Sequence, residues 1–320
     1  MPDHSHGPTH RRPRAEQPAA VASSVWPTGQ HSQTTHLHRH GYVPATRTDI
    51  ERIPPDIAAY AITTYSHPGD TVLDPECGAG TVLVEALRAG RHAVGLTRGR
   101  CWGIARANLT TTKRAGAWPD ATLLDAHPRT LTTARAAGLT GRVGLVLTTL
   151  RHPHLCTTVD QRRTDPRPGP VLPHLAQTLT ACIPLLRPGA HVIITIHRRR
   201  YHGMLDDLPS AVLAAGHTAG LIPVQRCIAL ITPLRGTQLS LRASFAQHDA
   251  AARASAVSTP LTRAAHHDVL VFAAPNHTEQ HNLGMNRAAA IAKPTPIRWS
   301  AHHMGEAINP NEPHGSRHAA

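Results

Sequence analysis

Short continuous runs of Val, Ile and Leu recur along this chain, each followed by a segment with apolar residues at helical spacing. That alternation leaves few folds open. The runs are TVLD, HAVGL, ATLLDA, RVGLVLTTL, HVIITIH, PVQRCIALITPL and DVLVFAA. Helical patterns occupy DIERIPPDIAAYAITTY, TVLVEALRAG, RCWGIARANLT, PRTLTTARAAG, PHLAQTLTACIPLL and DLPSAVLAAGHTAG. Strands that are apolar throughout need cover on both faces, which a parallel sheet between two helical layers supplies. The expectation is an α/β domain over residues 42–275: doubly wound, with a mostly parallel seven-stranded sheet of Rossmann-like type. Pro54 and Pro55 sit where a helix start tolerates proline, and RPGA reads as a turn leading into HVIITIH. Residues 1–41 and 276–320 lack apolar periodicity and read as disordered tails. SVWPTG around Trp26 stands out as a short docking segment, because an apolar pair seldom sits in a tail without a partner.

The stretch TVLDPECGAGTVLVEALRAGRHAVGL, Thr71 to Leu96, carries the strongest chemical signal. Asp74 ends the first strand, so its carboxylate points into the crevice beyond the strand ends where such sheets bind ligands. Gly78 and Gly80 remove side chains where backbone and ligand come close. The helix opening near Thr81 adds free N–H groups and a positive dipole end. A dinucleotide would need G-x-G-x-x-G, but its third glycine position falls on Leu83. A nucleoside triphosphate would need G-x-x-x-x-G-K-[ST], which is absent. S-adenosylmethionine has no phosphate but carries an ammonium, which suits an acid at the strand end.

VLDPECGAGT, with Pro75, Cys77 and Thr81 in place, resembles the first motif of S-adenosylmethionine-dependent amino-methyltransferases of DNA or RNA bases. These include the N6-adenine/N4-cytosine DNA methylases and the tRNA guanine-N2 methyltransferases. The resemblance extends through Asn108 and Leu109, LRPGAHVII and DVLVFAAP. It implies S-adenosyl-L-methionine as cofactor, nucleic acid as partner, and transfer of a methyl group to an exocyclic base nitrogen. It also implies cofactor contacts from Asp74, Pro75, Cys77, Gly78, Gly80 and Thr81. Asp125, ending the third strand, matches the acid that accepts from the adenine amino group. Thr97 stands where such proteins carry an acid for the ribose hydroxyls. Exchanging a charge-assisted bond for a neutral one weakens cofactor binding by roughly ten-fold or more.

The catalytic motif of these enzymes, [DNS]-P-P-[YFW] after the fourth strand, is degenerate here. Aligned by the strand, Thr149 takes the polar position, Leu150 and Arg151 the two proline positions, and His152 the aromatic one. A threonine oxygen can accept one bond and a histidine ring can stack on an extruded base, but the φ restriction of two prolines is gone. Sliding the motif by two residues puts Arg151 at the acceptor position, where a guanidinium cannot serve. Sliding by three leaves Leu155 where a ring belongs. Two functions therefore compete: an active nucleic-acid methyltransferase, and a catalytically degenerate member acting in nucleic-acid binding or regulation. A small-molecule methyltransferase is a third.

Charge bears on the partner. The formal net charge is +13, and Lys occurs only at Lys113 and Lys293, so the excess is arginine. The clusters HRRPR, QRRTDPR and HRRRYH fit a footprint for nucleic acid, although an Arg- and Ala-rich composition is also what GC-rich codons produce. Cys77, Cys101, Cys156, Cys182 and Cys227 show no C-x-x-C spacing. The 26 histidines contain no HExxH, so no metal site is expected. No apolar run approaches the roughly 20 residues of a membrane helix, and MPDHSHGPTHRRPRAEQP has no apolar segment of signal-peptide type. A soluble, cytoplasmic protein is expected.

Overall fold

The apolar runs become the strands of one large sheet. A computed structural model of the chain describes residues 22–126, 138–151, 171–197, 200–201, 204–205, 207–240 and 264–275. All of these fall in the first of two units, Met1–Thr278; the second unit, Glu279–Ala320, contains none of them. The helix expected at PRTLTTARAAG and the tail expectations for residues 1–21 and 276–320 lie outside the described residues.

In chain order the elements are β1 (Val25–Trp26), α1 (Gln33–Arg39), α2 (Pro55–Tyr65), β2 (Thr71–Asp74), α3 (Thr81–Arg88), β3 (His92–Thr97), α4 (Arg100–Arg114), β4 (Ala121–Asp125) and β5 (Val143–Thr149). Then come α5 (Val171–Cys182), β6 (Leu186–Ile196), β7 (Arg200–Tyr201), β8 (Met204–Leu205), α6 (Leu208–Thr218), β9 (Ile222–Leu230), β10 (Leu234–Arg235), β11 (Gln238–Leu239) and β12 (His266–Ala273). The main sheet has eight strands in the order β1-β9-β12-β6-β5-β2-β3-β4. Strands β2 to β6 pair in parallel, while β12 runs antiparallel between β6 and β9. β7–β8 and β10–β11 are two small antiparallel ribbons.

Each central strand feeds both faces, as a period of two requires. Val72, Leu145, Leu147, Val269 and Val271 pack with Ile57, Ile62, Val82 and Leu83 of α2 and α3. Their neighbours Leu73, Val146, Leu270 and Phe272 face the other way, onto Leu175 and Leu179 of α5 and Val212 of α6. With both faces covered, an alternating polar pattern has no place in these strands, and the doubly wound α/β expectation holds.

Two expectations change. RPGA is not a turn ahead of a strand: β6 begins at Leu186 and runs through it. Val143 pairs with Leu186 and Leu145 with His191, so parallel pairing with β5 exists on both sides and the intervening residues bulge out, Gly189 at φ 72. The folded region also begins before residue 42. β1 adds an eighth strand, parallel to β9, with Val25 opposite Ile228 and Trp26 opposite Ala229. Trp26 is fully buried, its ring 4.9 Å from that of Tyr60 and 6.1 Å from that of Tyr65. Thr28 donates its hydroxyl to the Leu230 carbonyl. The apolar pair in SVWPTG thus docks on the chain's own sheet.

Trp26 anchors β1 and Val25 does not, since Val25 is 45% exposed. In urea denaturation, Trp26→Ala is expected to cost about 3–5 kcal/mol, whereas Val25→Ala stays within about 0.5 kcal/mol.

Candidate active site

Strand order reverses between β2 and β5: β3 and β4 extend the sheet on one side of β2, β5 and β6 on the other. Ligand crevices form outside the carboxyl ends of strands at such a switch point. Asp74 ends β2 and Thr149 ends β5, so the structure brings the expected cofactor acid and the expected polar catalytic residue to this one edge. Gly95 of β3 lies opposite Asp74, and Thr97 pairs with Asp125 across β3 and β4. Asp125 is exposed and Thr97 is buried.

The glycine turn is built by its own backbone. Cys77 donates its N–H to the Leu96 carbonyl and Gly80 donates to that of Cys77. Gly80, at φ 80, is the left-handed residue that opens α3 and lies close against Ala105. Cys77 is buried in the core, Pro75 is buried beside it, and the Thr81 hydroxyl donates to the Ile53 carbonyl at 3.0 Å. These three residues hold the turn against the core and α2's approach segment. Glu76, also in the turn, lies 2.7 Å from Nε2 of His174 on α5.

Asp74 is 3% exposed, and its Oδ1 accepts the N–H of Glu76 at 3.1 Å. Burial pushes its carboxyl up to about 7, with the Arg151 guanidinium pulling in the opposite direction.

A buried ion pair that no sequence spacing announced lies against the same turn. Arg151, immediately beyond β5, makes a two-pronged contact with Asp49: Nη1 to Oδ1 at 2.9 Å and Nη2 to Oδ2 at 3.0 Å. Asp49 Oδ2 also accepts the N–H of Ala79 at 2.8 Å. Burial works against ionisation of Asp49, yet Arg151, the Ala79 N–H and Arg52 hold it below the usual carboxylate range. A Cβ at Gly78 would overlap Asp49 Oδ2 and Arg151 Nη2, so the space freed by that glycine is taken by the pair. Asp49 sits in TRTDIERIPP, where nothing marks a lone acid before a helix as part of a site.

Of the expected catalytic residues, Thr149 is buried and donates its hydroxyl to the Thr195 carbonyl at 3.0 Å. Leu150 is buried in the core, with its N–H also on the Thr195 carbonyl. Arg151 is in the ion pair, and His152 lies outside the described residues. A groove at the β4 edge of the sheet contains none of the expected site residues; it is lined by Trp102, Arg106, Lys113 and Arg114 among others. No described helix is long and apolar enough to cross a membrane.

Residues 5–100 match a family model described as DNA methylase, and residues 55–146 match one described as an RMKL-like methyltransferase domain. Among solved structures, the chain is similar to TrmN from Thermus thermophilus at 15% identity, covering 72% of this chain and 52% of that one, with a TM-score of 0.44. It thus spans about half of TrmN. It is also similar to the 1,6-didemethyltoxoflavin-N1-methyltransferase of Burkholderia thailandensis, solved with bound S-adenosylhomocysteine: 12% identity, 76% of this chain, 87% of that one, TM-score 0.44. A TehB-like methyltransferase from Corynebacterium glutamicum is 12% identical over 76% of this chain and 98% of that one, TM-score 0.40. Both family matches contain the glycine turn, and each covers less than half of the chain.

Two stability outcomes follow from the buried charges. Arg151→Ala strands the Asp49 carboxylate in the interior and is expected to cost about 3–5 kcal/mol in urea denaturation. Asp74 keeps its proton up to about pH 7 in the fold but releases it near 3.8 once unfolded. Its contribution to stability therefore falls as pH rises from about 4 to 7 and is level above that. Asp74→Asn removes this penalty, so the variant should gain on the parent across that window, by on the order of a few kcal/mol at pH 8. Urea midpoints at pH 4.5 and pH 8 read the difference.

Proposed function

We propose that the protein transfers a methyl group from S-adenosylmethionine to an exocyclic amino nitrogen of a base in DNA or RNA, with the cofactor held at the edge formed by Asp74, Gly78, Gly80, Thr97 and Asp125. One observation carries this reading: a buried carboxylate, Asp74, stands at the switch point of the sheet with its charge suppressed by burial. A cationic ligand group restores that charge, so the residue is suited to the ammonium of the cofactor. Thr97 offers a hydroxyl for the ribose, and Asp125 a carboxylate for the adenine amino group.

The cofactor supplies an electrophilic methyl on a sulfonium. The protein's part is alignment and exclusion of water. Thr149 has its proton engaged by Thr195, so what its oxygen retains is the capacity to accept. That suits the amino group of a base, whose nitrogen lone pair is then left for the methyl. For a ligand to reach the backbone at Gly78, the Asp49–Arg151 pair has to swing away from the turn. The groove along α4 supports a polyanionic substrate: Trp102, Arg106, Lys113 and Arg114 line it, and the Arg106 guanidinium lies 5.3 Å from the Trp102 ring centroid.

A second reading, a binding or regulatory protein that has lost methyl transfer, is favoured by that same Asp49–Arg151 pair, which covers the turn with the chain's own charges. Calorimetry with S-adenosylmethionine and tritiated-methyl transfer to pooled DNA and tRNA separate the two. The expected outcome is binding by the parent, at least a ten-fold loss in Asp74→Ala, and label on nucleic acid that declines steeply as salt rises. Binding unchanged in Asp74→Ala removes the cofactor assignment. Binding without label on any nucleic acid leaves the second reading.

A further inference from the structure

Histidines 36 and 40, four residues apart, share one face at the end of α1 and meet Glu85 of α3. One ligand atom from each of the three lies within 4.8 Å of the others. His36 Nε2 is 3.5 Å from Glu85 Oε1, and His40 Nδ1 is 4.0 Å from the same oxygen. The two rings stack with centroids 3.9 Å apart. His36 is 7% exposed and Glu85 4%, while His40 is 37% exposed and opens the cluster to solvent.

Two features set this cluster apart from a chance grouping of surface histidines. The buried His36 Nε2 has no hydrogen-bond partner, which costs free energy unless something fills the position. The other ring nitrogen, Nδ1, lies 2.5 Å from Asp56 Oδ1. A carboxylate on Nδ1 fixes the tautomer that leaves the Nε2 lone pair free, the arrangement by which an outer carboxylate orients a metal-binding imidazole. Glu85 is itself positioned: the Tyr42 hydroxyl donates to its Oε1 at 2.6 Å, and Arg88 Nη1 approaches to 3.8 Å.

We propose that His36, His40 and Glu85 bind a zinc ion, with Asp56 orienting His36 and the fourth position open to water on the His40 side. Two imidazoles and one carboxylate are a donor set for a borderline metal rather than for Mg2+ or Ca2+, which prefer oxygen. Zinc holds nitrogen at about 2.0–2.1 Å in a tetrahedron, which places ligand atoms roughly 3.4 Å apart. The His36–Glu85 spacing already meets this. His40, partly exposed, supplies the remaining closure by turning its ring.

The site needs no cofactor seat and stands apart from the methyltransferase reading. Its effect is to staple α1 to α3, the helix that grows out of the glycine turn. Without a metal, burial works to lower the His36 pKa, but the neighbouring carboxylates of Asp56 and Glu85 outweigh it and push it up to about 9. Proton and zinc thus compete for the same electron pair.

The full chain, stripped with EDTA, is titrated with Zn2+ against a chromophoric chelator and with Co2+ in the visible. Because the N-terminal residues hold further histidines, a His4→Ala/His6→Ala/His10→Ala variant serves as control. The expected result is one tight equivalent with tetrahedral Co2+ bands. It should weaken at least ten-fold in His40→Ala and Glu85→Gln, weaken ten-fold or more at the same stoichiometry in Asp56→Asn, and stay unchanged in the control. Circular dichroism verifies that each variant is folded; His40→Ala, at a partly exposed position, tests the site even where Glu85→Gln unfolds. Binding that survives His40→Ala, vanishes in the control, or is absent from the parent overturns the assignment.

Discussion

The Asp49–Arg151 pair is the interaction on which the candidate site depends. It ties three separate pieces of chain together: the approach to α2, the end of β5, and the N–H of Ala79 in the glycine turn. Two charges taken out of water stabilise a fold only so far as their remaining bonding capacity is met; here Asp49 gains a backbone donor beyond the two from Arg151, while Nε of Arg151 is buried without a hydrogen-bond partner among the described residues. The same pair occupies the space that Gly78 leaves free. Order in the turn and access to the Gly78 backbone are therefore opposed.

Most of the sheet was legible because burial on both faces forces an unmistakable composition. TVLD is β2 without adjustment, and HAVGL, ATLLDA and DVLVFAA fall on β3, β4 and β12 with small shifts at their ends. RPGA misled because proline and glycine mark a turn and a bulge alike; only the pairing with β5, which resumes at His191, distinguishes them. β1 is two residues long, too short for any period, and its strand partner β9 lies two hundred positions away.

The strand-end positions of Asp74, Thr97, Asp125 and Thr149 were legible, because each closes one of the apolar runs. The site was illegible where partners come from distant loops. Asp49 needs Arg151 to have meaning, and Glu76 needs His174. The His36–His40 spacing is visible in HLHRH, but its third member, Glu85, sits inside a helix that reads as ordinary amphipathic sequence. With 26 histidines in the chain, a lone four-residue spacing carries little weight. Folding supplies the selection that spacing cannot.

The pairing of β1 with β9 also has a bearing on how the chain reaches its native state. Thr28 and Leu230 are separated by 202 residues, so the first of the described strands must wait for a partner made far later. Closing so long a loop is entropically late, and contacts of such high order slow the search. Until β9 emerges, Trp26 has only the cover of earlier residues such as Tyr60 and Tyr65, and its strand edge stays open on the nascent chain.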